Sequence, residues 1–108
     1  MIIGAGPAGL AAAVCLATRG VDHVLLERPG GAAIRKVDPQ MRLLSPKRLS
    51  RLPGMKFPAS SSYPTFDELV RALAAYRDEH ALVTQACDVS EVVSSAKGFG
   101  VRGSEGAF

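Results

Sequence analysis

The stretch MIIGAGPAGL, residues 1–10, decides the fold class of this 108-residue chain. Its first three residues are apolar and partly β-branched, which is typical of the end of a buried strand. Three glycines with the spacing GxGxxG follow, and residues 10–19 are rich in Ala and free of Gly and Pro, which predicts a helix. Gly20 then stands where a left-handed residue commonly ends a helix. The chain is therefore predicted to begin as strand, tight turn and helix.

A second apolar segment, residues 23–26, predicts another strand, and it ends in the acid Glu27, eighteen residues beyond Gly9. Strand, glycine turn, helix, strand and acid occur in this order in the dinucleotide-binding βαβ unit. In such a unit Gly4 makes the tight turn, Gly6 lets the backbone approach a pyrophosphate, and Gly9 lets the helix pack on the sheet. The alternative is a glycine-rich turn in an ordinary βαβ unit, which accounts for fewer of these features.

The chemistry of the motif favours a phosphate ligand next to a sugar. Pro7 suits the first helical turn, where its missing N–H has no partner to lose. The free N–H groups and the dipole at that helix end attract phosphate oxygens. Glu27 stands where a carboxylate can accept hydrogen bonds from ribose hydroxyls. Because an acid would repel a 2′-phosphate, the ligand at this motif is not expected to be NADP.

The rest of the chain predicts the start of a doubly wound domain. Residues 28–64 are rich in Pro, Gly, Ser and Arg and predict a long functional loop, with short helical turns around residues 45–52. Thr65 and Glu68 form a capping box that opens a helix ending near residues 79–80. Residues 82–84 predict a parallel strand, and residues 88–95 and 99–102 predict two strands joined by a turn. The fold class is α/β: a partial Rossmann-like dinucleotide-binding domain with a parallel sheet, helices and a small antiparallel β-meander.

Composition limits the possible function classes. No run of 18 apolar residues occurs, so no membrane span is predicted. The cysteines, Cys15 and Cys87, are far apart, which indicates neither a disulfide framework nor a metal site and favours the cytoplasm. We find no spacing typical of metal ligands or of a catalytic triad, so no catalytic residue and no metal ligand is assigned. His23 and His80 are interpreted as a strand-edge residue and a residue at a helix end.

The net charge of +3 is unevenly distributed, since eight of the thirteen basic residues lie between residues 28 and 56. A solvated loop and a surface that attracts a phosphate-rich cofactor both explain this cluster. Nucleic-acid binding is not expected, because aromatic residues that would stack on bases are almost absent from the stretch. The expected partners are therefore a cofactor and a small-molecule substrate, and the oligomeric state is left open.

Taken together, the residues resemble the two-dinucleotide-binding-domain flavoproteins and, among them, the flavin-containing monooxygenase-like group. The form GAGPAGL of residues 4–10, with Glu27, is similar to an FAD site rather than an NAD site. A second set of short motifs resembles the segment that runs under the flavin in such monooxygenases: PGG at 29–31, MRLLSPK at 41–47, LPG at 52–54 and YP at 63–64. The resemblance covers essentially the whole chain.

The resemblance implies FAD as the cofactor and assigns residues to it. Glu27 would bind the adenosine ribose, Arg28 would lie beside the adenine, and Val89 would contact the adenine through its backbone. Residues 43–46 would lie near the flavin ring. The pyrophosphate would be held by the motif residues Gly4, Ala5, Gly6, Pro7, Ala8 and Gly9.

The implied function is that of an FAD/NAD(P)H-dependent oxidoreductase, monooxygenase-like, in which NADPH reduces the flavin and oxygen passes to an N, S or carbonyl substrate. Residues 1–108 are expected to be an N-terminal fragment of the FAD-binding domain, with the NADPH-binding domain missing and the fragment alone inactive. An FAD-dependent amine oxidase or reductase and a truncated non-catalytic nucleotide-binding remnant are the alternatives. Two departures from the family stand out: Ala32 and Ala33 replace an aromatic residue that often follows the Gly-Gly pair, and no redox cysteine pair is present, which disfavours disulfide reduction.

Overall fold

The computed structural model describes residues 1–31 and 33–108 as a three-layer α/β arrangement. Along the chain its elements are β1 (Ile2–Ile3), α1 (Pro7–Thr18), β2 (Leu25–Glu27), a 3₁₀ turn (Ala33–Lys36), α2 (Lys47–Ser50), α3 (Phe66–Glu79), β3 (Thr84–Ala86), β4 (Val89–Ser95), β5 (Gly98–Gly103) and β6 (Gly106–Ala107).

The central layer is a parallel sheet in the order β1-β2-β3, and the outer layers are set by the alternation of side chains along β2. Leu25 is 1% exposed and belongs to the main core, which is formed largely by α1 and α3. Leu26 is fully buried on the opposite face, where it packs against Cys87 and Val101. Successive residues of a strand point to opposite faces, so two neighbouring leucines join both outer layers to the sheet.

Helix α1 begins and ends where local backbone chemistry requires. Gly6 is its N-cap and Pro7 its first residue, which confirms the predicted place of Pro7 in the first helical turn, ahead of the Ala-rich stretch that begins at residue 10. At its end Gly20 has a φ of +66°, and its N–H donates to the carbonyl of Ala17 at 3.0 Å. The N–H of the next residue, Val21, reaches back to the carbonyl of Leu16 at 2.9 Å. This pair of bonds is a Schellman motif, so the predicted glycine end of the helix is confirmed.

Helix α3 opens with the predicted capping box. The hydroxyl of Thr65 accepts from the N–H of Glu68 at 3.2 Å, and the Glu68 carboxylate accepts from the N–H of Thr65 at 3.3 Å. The same carboxylate also accepts from the N–H of Ser60 at 2.7 Å. One glutamate therefore caps the helix and fastens the preceding loop to it.

The long segment between β2 and α3 is anchored to the core rather than fully solvated. Met55 and Phe57 are buried in the main cluster, and the Tyr76 hydroxyl donates to the carbonyl of Pro53 at 2.7 Å. Arg42 donates to the carbonyl of Tyr63 at 2.7 Å, which ties the two arms of the segment together. The expected helical turn around residues 45–52 is present as α2.

Three details of the strand predictions are corrected. The second strand spans Leu25–Glu27 rather than residues 23–26. The third strand spans Thr84–Ala86 rather than residues 82–84, because Thr84 pairs with Leu25, while Val83 is 79% exposed. Leu82 instead ends the turn after α3, with its N–H bonded to the carbonyl of Arg77 at 3.0 Å. The meander has the order β4-β5-β6, and its last strand, β6, was not predicted.

Within the described ranges, no helix is both long enough and apolar enough to cross a membrane.

The Glu68 cap makes stability depend on pH. The backbone N–H of Ser60 lowers the pKa of Glu68 against a smaller opposing effect of desolvation, and the bonds from Thr65 add to the lowering. The Glu68 carboxylate binds a proton at a higher pH in the unfolded chain than in the folded chain. Its contribution to the free energy of unfolding is therefore present above the ordinary glutamate pKa and is lost as the pH falls through the lowered pKa of the folded chain. We expect the free energy of unfolding, measured by urea titration from pH 7 to pH 3, to fall less steeply in Glu68→Gln than in the parent.

Glu79→Gln, at the exposed end of the same helix, is the matched control and should keep the parent's pH dependence. Parallel pH profiles for the parent and Glu68→Gln would contradict the assignment of Glu68 as the stabilising cap.

Candidate functional site

The turn from β1 into α1 depends on two glycines. Gly4 has a φ of +95°, and its N–H donates to the carbonyl of Leu26 at 2.7 Å, which extends the pairing of the strands into the turn. A Cβ atom on Gly9 would overlap the carbonyl oxygen of Gly4. The first turn of α1 therefore lies directly against the end of β1, which only a residue without a side chain permits at position 9.

Gly6 serves a different purpose. As the N-cap of α1 it has an extended backbone that any residue can adopt, and a Cβ atom there would meet no atom of the described chain within 4 Å. Within the described part of the chain, no side chain forms a capping hydrogen bond at the N-terminus of α1. Open space thus borders a helix end that carries a partial positive charge, which is the environment that binds phosphate groups.

Glu27 bridges the glycine turn and the end of β2. Its Oε2 accepts from the N–H of Ala5 at 2.6 Å, and its Oε1 accepts from the N–H of Arg28 at 2.8 Å. Each carboxylate oxygen has two acceptor positions, so each retains capacity for a hydroxyl donor of a ligand. Sequence reasoning assigned Glu27 to a sugar but did not foresee the bond to Ala5, because spacing along the chain does not show which backbone N–H a carboxylate reaches.

A cavity of about 370 Å³ opens beside this bridge, within the size range of small-molecule sites. Its polar lining contains one carboxylate and three arginines, and helix α3 supplies much of its apolar wall. The lining residues are Ala5, Leu10, Glu27, Arg28, Gly30, Gly31, Ile34, Arg35, Val70, Leu73, Ala74, Arg77, Thr84 and Ala86.

The structure brings most of the predicted site residues to one edge of the parallel sheet. Ala5, Glu27 and Arg28 line the cavity, and the remaining motif residues form the adjoining turn and the first turn of α1. Val89 does not line the cavity, and its side chain packs with the second core cluster, on the meander side of the sheet. Its predicted backbone contact with adenine stays a prediction. The same holds for residues 43–46 near a flavin ring; in this segment the side chain of Leu44 is fully exposed.

Sequence reasoning missed two arginines of the cavity. Arg77 follows Val70 and Ala74 at helical spacing on α3, so the periodicity that identified the apolar face could have found it. Arg35 lies on the 3₁₀ turn and belongs to the basic cluster of residues 28–56, but the sequence does not show which residues of that cluster reach the cavity.

A wider groove of about 810 Å³ follows a second face of α3. Three of its charged groups are already engaged within the chain, since Asp67 pairs with Arg71 at 2.7 Å and Glu68 accepts from the N–H groups of Ser60 and Thr65. The cavity beside Glu27, which Ala5 of the glycine turn lines directly before the N-cap of α1, is therefore the better candidate for a ligand.

Comparison with known families covers the whole chain: residues 1–108 match the family model described as Pyridine nucleotide-disulphide oxidoreductase. The chain belongs to this family. It is 42% identical over 80 residues to an indole-3-pyruvate monooxygenase, YUCCA1, of Oryza sativa subsp. japonica, a match that covers 70% of this chain and 20% of that protein. The chain spans about a fifth of the length of the curated relatives it matches.

Solved structures agree with the fold. A flavin-containing monooxygenase from Stenotrophomonas maltophilia superimposes with a TM-score of 0.83 at 29% identity, over 97% of this chain and 33% of that one. A bacillithiol disulfide reductase from Bacillus cereus gives a TM-score of 0.86 at 22% identity, over 97% and 34%, and supports the fold alone. The predicted fold class and the predicted relation to FAD-dependent, flavin-containing monooxygenase-like oxidoreductases are confirmed.

The different environments of Gly9 and Gly6 predict different effects of the same small substitution. Gly9→Ala should lower the free energy of unfolding by about 1–3 kcal/mol, because the added methyl group must displace the Gly4 carbonyl. Gly6→Ala should lower it by less than about 1 kcal/mol, the cost of a poorer N-cap, because the new methyl group meets open space. Urea unfolding of the two variants beside the parent measures both values, and equal losses would contradict the close approach at Gly9.

Proposed function

We propose that the glycine turn, the N-terminus of α1 and Glu27 bind the ADP half of FAD. The observation that carries this proposal is a cavity lined by Ala5 and Glu27, in which the Ala5 N–H holds the Glu27 carboxylate and Gly6, the next residue along the chain, is the open N-cap of α1. The absence of a side chain at Gly6 leaves the space that a pyrophosphate needs, so the residues present fit the cofactor.

In this proposal each part of the ligand has its own partner. The 2′- and 3′-hydroxyls of the ribose donate to the remaining acceptor positions of Glu27. Arg28 lies beside the adenine, and Val89 reaches the adenine through its backbone. The pyrophosphate is held at the turn and the first turn of α1, by Gly4, Ala5, Gly6, Pro7, Ala8 and Gly9.

For the whole protein we propose an FAD- and NADPH-dependent monooxygenase acting on a small molecule with a nucleophilic nitrogen or sulfur or a carbonyl group. The names of the relatives, an indole-3-pyruvate monooxygenase and a flavin-containing monooxygenase, support this reaction class. When bound, FAD supplies the redox chemistry with NADPH and O₂, while the chain binds and orients it. Residues 1–108 are proposed to be part of the FAD-binding domain, and NADPH is proposed to bind outside it, because Glu27 would repel a 2′-phosphate.

Disulfide reduction, which the family name also covers, is the less favoured chemistry. The two cysteines are free thiols in separate places: Cys15 lies on α1, and Cys87 lies in the cluster on the other face of the sheet. A dithiol centre needs two cysteines whose Cα atoms are within about 7 Å of each other. Two free thiols also suit the reducing cytoplasm, which we propose as the location.

Gly6→Val tests the proposed phosphate site. Its side chain would occupy the space of the pyrophosphate, so we expect the affinity for FAD to fall by about 100-fold or more. Isothermal titration calorimetry with FAD measures the loss. Ala12→Val, which adds bulk at an exposed position of the same helix away from its N-terminus, should bind FAD like the parent. Equal affinity in Gly6→Val and the parent would show that the pyrophosphate binds elsewhere.

Glu27→Gln tests the proposed ribose site through a ratio of affinities. The parent should bind ADP about tenfold more tightly than 2′,3′-dideoxy-ADP, because only ADP has hydroxyls that donate to the carboxylate. In Glu27→Gln this preference should largely disappear, whatever the variant does to stability. A parent that binds both nucleotides equally would contradict the assignment of Glu27 to the ribose.

A further inference from the structure

We propose that Arg35 is an additional phosphate-binding residue of the cavity, and that Gly31 positions its side chain. The proposal rests on the proposed binding of the ADP half of FAD and adds a residue outside the glycine motif. Arg35 belongs to the 3₁₀ turn Ala33–Lys36 and lines the same cavity as Ala5 and Glu27.

The first observation is the turn that leads out of β2. The N–H of Gly31 donates to the carbonyl of Arg28 at 3.1 Å, and Gly30 and Gly31 have φ values of +89° and +83°. Two successive residues in the left-handed region require glycine. Both glycines and Arg35, shortly beyond them, line the cavity.

The second observation is the contact between Arg35 and Gly31. A Cβ atom built on Gly31 would lie 3.0 Å from Cδ and 3.1 Å from Nε of Arg35. The stem and the guanidinium group of Arg35 therefore lie close to the backbone of Gly31. A side chain at position 31 would occupy part of the same space. Arg35 is otherwise exposed, so a methyl group at position 31 would displace the end of its side chain from this place.

The third observation is the charge around the cavity. Glu27 is engaged by two backbone N–H groups, and Arg77 lies 3.6 Å from the carboxylate of Asp78. Across the ranges that the structure describes, Arg35 takes part in none of the ion pairs, which involve Arg71, Arg77 and Arg102. A guanidinium fork that faces a cavity without a carboxylate partner is suited to a phosphate group, which it can contact with two parallel N–H donors.

The experiment separates phosphate from sugar and base by using ADP and adenosine as probes. In Arg35→Gln we expect the dissociation constant of ADP to rise about tenfold and that of adenosine to stay within about twofold of the parent value. Lys36→Gln removes the same charge from the neighbouring residue, which does not line the cavity, and should leave both constants unchanged. Arg35→Lys should recover part of the ADP affinity, because it restores the charge without the fork.

Gly31→Ala and Gly30→Ala test the positioning by Gly31. Both place a side chain on a residue with positive φ, but only the Cβ atom at position 31 would meet Arg35, since that at Gly30 has no neighbour within 4 Å. Gly31→Ala should therefore weaken ADP binding more than Gly30→Ala and should leave little further effect for Arg35→Gln in the double variant.

Each other outcome overturns a defined part of the proposal. An equal loss of ADP and adenosine affinity in Arg35→Gln would show a role in packing or in contacting the base. Equal effects of Arg35→Gln and Lys36→Gln would show a general charge effect. No change in ADP affinity would remove Arg35 from the site while leaving the proposed function intact. Failure of the parent chain to bind ADP, adenosine and FAD would instead overturn the proposed function.

Discussion

The close approach of Gly9 to the carbonyl oxygen of Gly4 is the constraint on which the site depends. Because the first turn of α1 lies against the end of β1, the helix starts immediately after the strand, with Pro7 as its first residue. The helix N-terminus is thereby placed at the carboxyl edge of the parallel sheet, next to the end of β2. A side chain at position 9 would push the helix away and would separate the helix end from Glu27.

The hydrogen bond between the Ala5 N–H and the Glu27 carboxylate, which this arrangement makes possible, has two consequences. It closes the βαβ unit at its open edge, since it joins the turn after β1 to the end of β2 across 22 positions of the chain. It also fixes the rotamer of a carboxylate before any ligand arrives, which reduces the ordering cost of binding. In the proposed function, stability and ligand recognition therefore depend on the same side chain, and a substitution at Glu27 is expected to change both. For that reason a ratio of ligand affinities reports on recognition more directly than the affinity for one ligand.

Local chemistry made part of this architecture predictable. The glycine turn, the Schellman end at Gly20 and the capping box of Thr65 and Glu68 depend on contacts within a few residues, so their signals stand in the sequence itself. The start of β3 at Thr84, the burial of Met55 and Phe57, and the presence of Arg35 at the cavity depend on partners far along the chain. Val83 illustrates the difference: it is β-branched and apolar, which favours a strand, yet the pairing of Thr84 with Leu25 leaves it exposed before the strand begins.

The cavity contains both signs of charge, which suits the proposed dinucleotide because that ligand presents both anions and hydroxyl donors. A wholly cationic lining would attract phosphates without distinguishing the sugar, and a wholly acidic one would repel the pyrophosphate. Here the carboxylate of Glu27 stands at the end of β2, whereas Arg28 and Arg35 flank the glycine turn that follows it. The turn Arg28–Gly31 thus separates Glu27, which is suited to hydroxyl donors, from Arg35, which is suited to a phosphate. This segregation is built from backbone geometry, because Gly30 and Gly31 provide the positive φ values that bring the chain back with Arg35 beside the cavity.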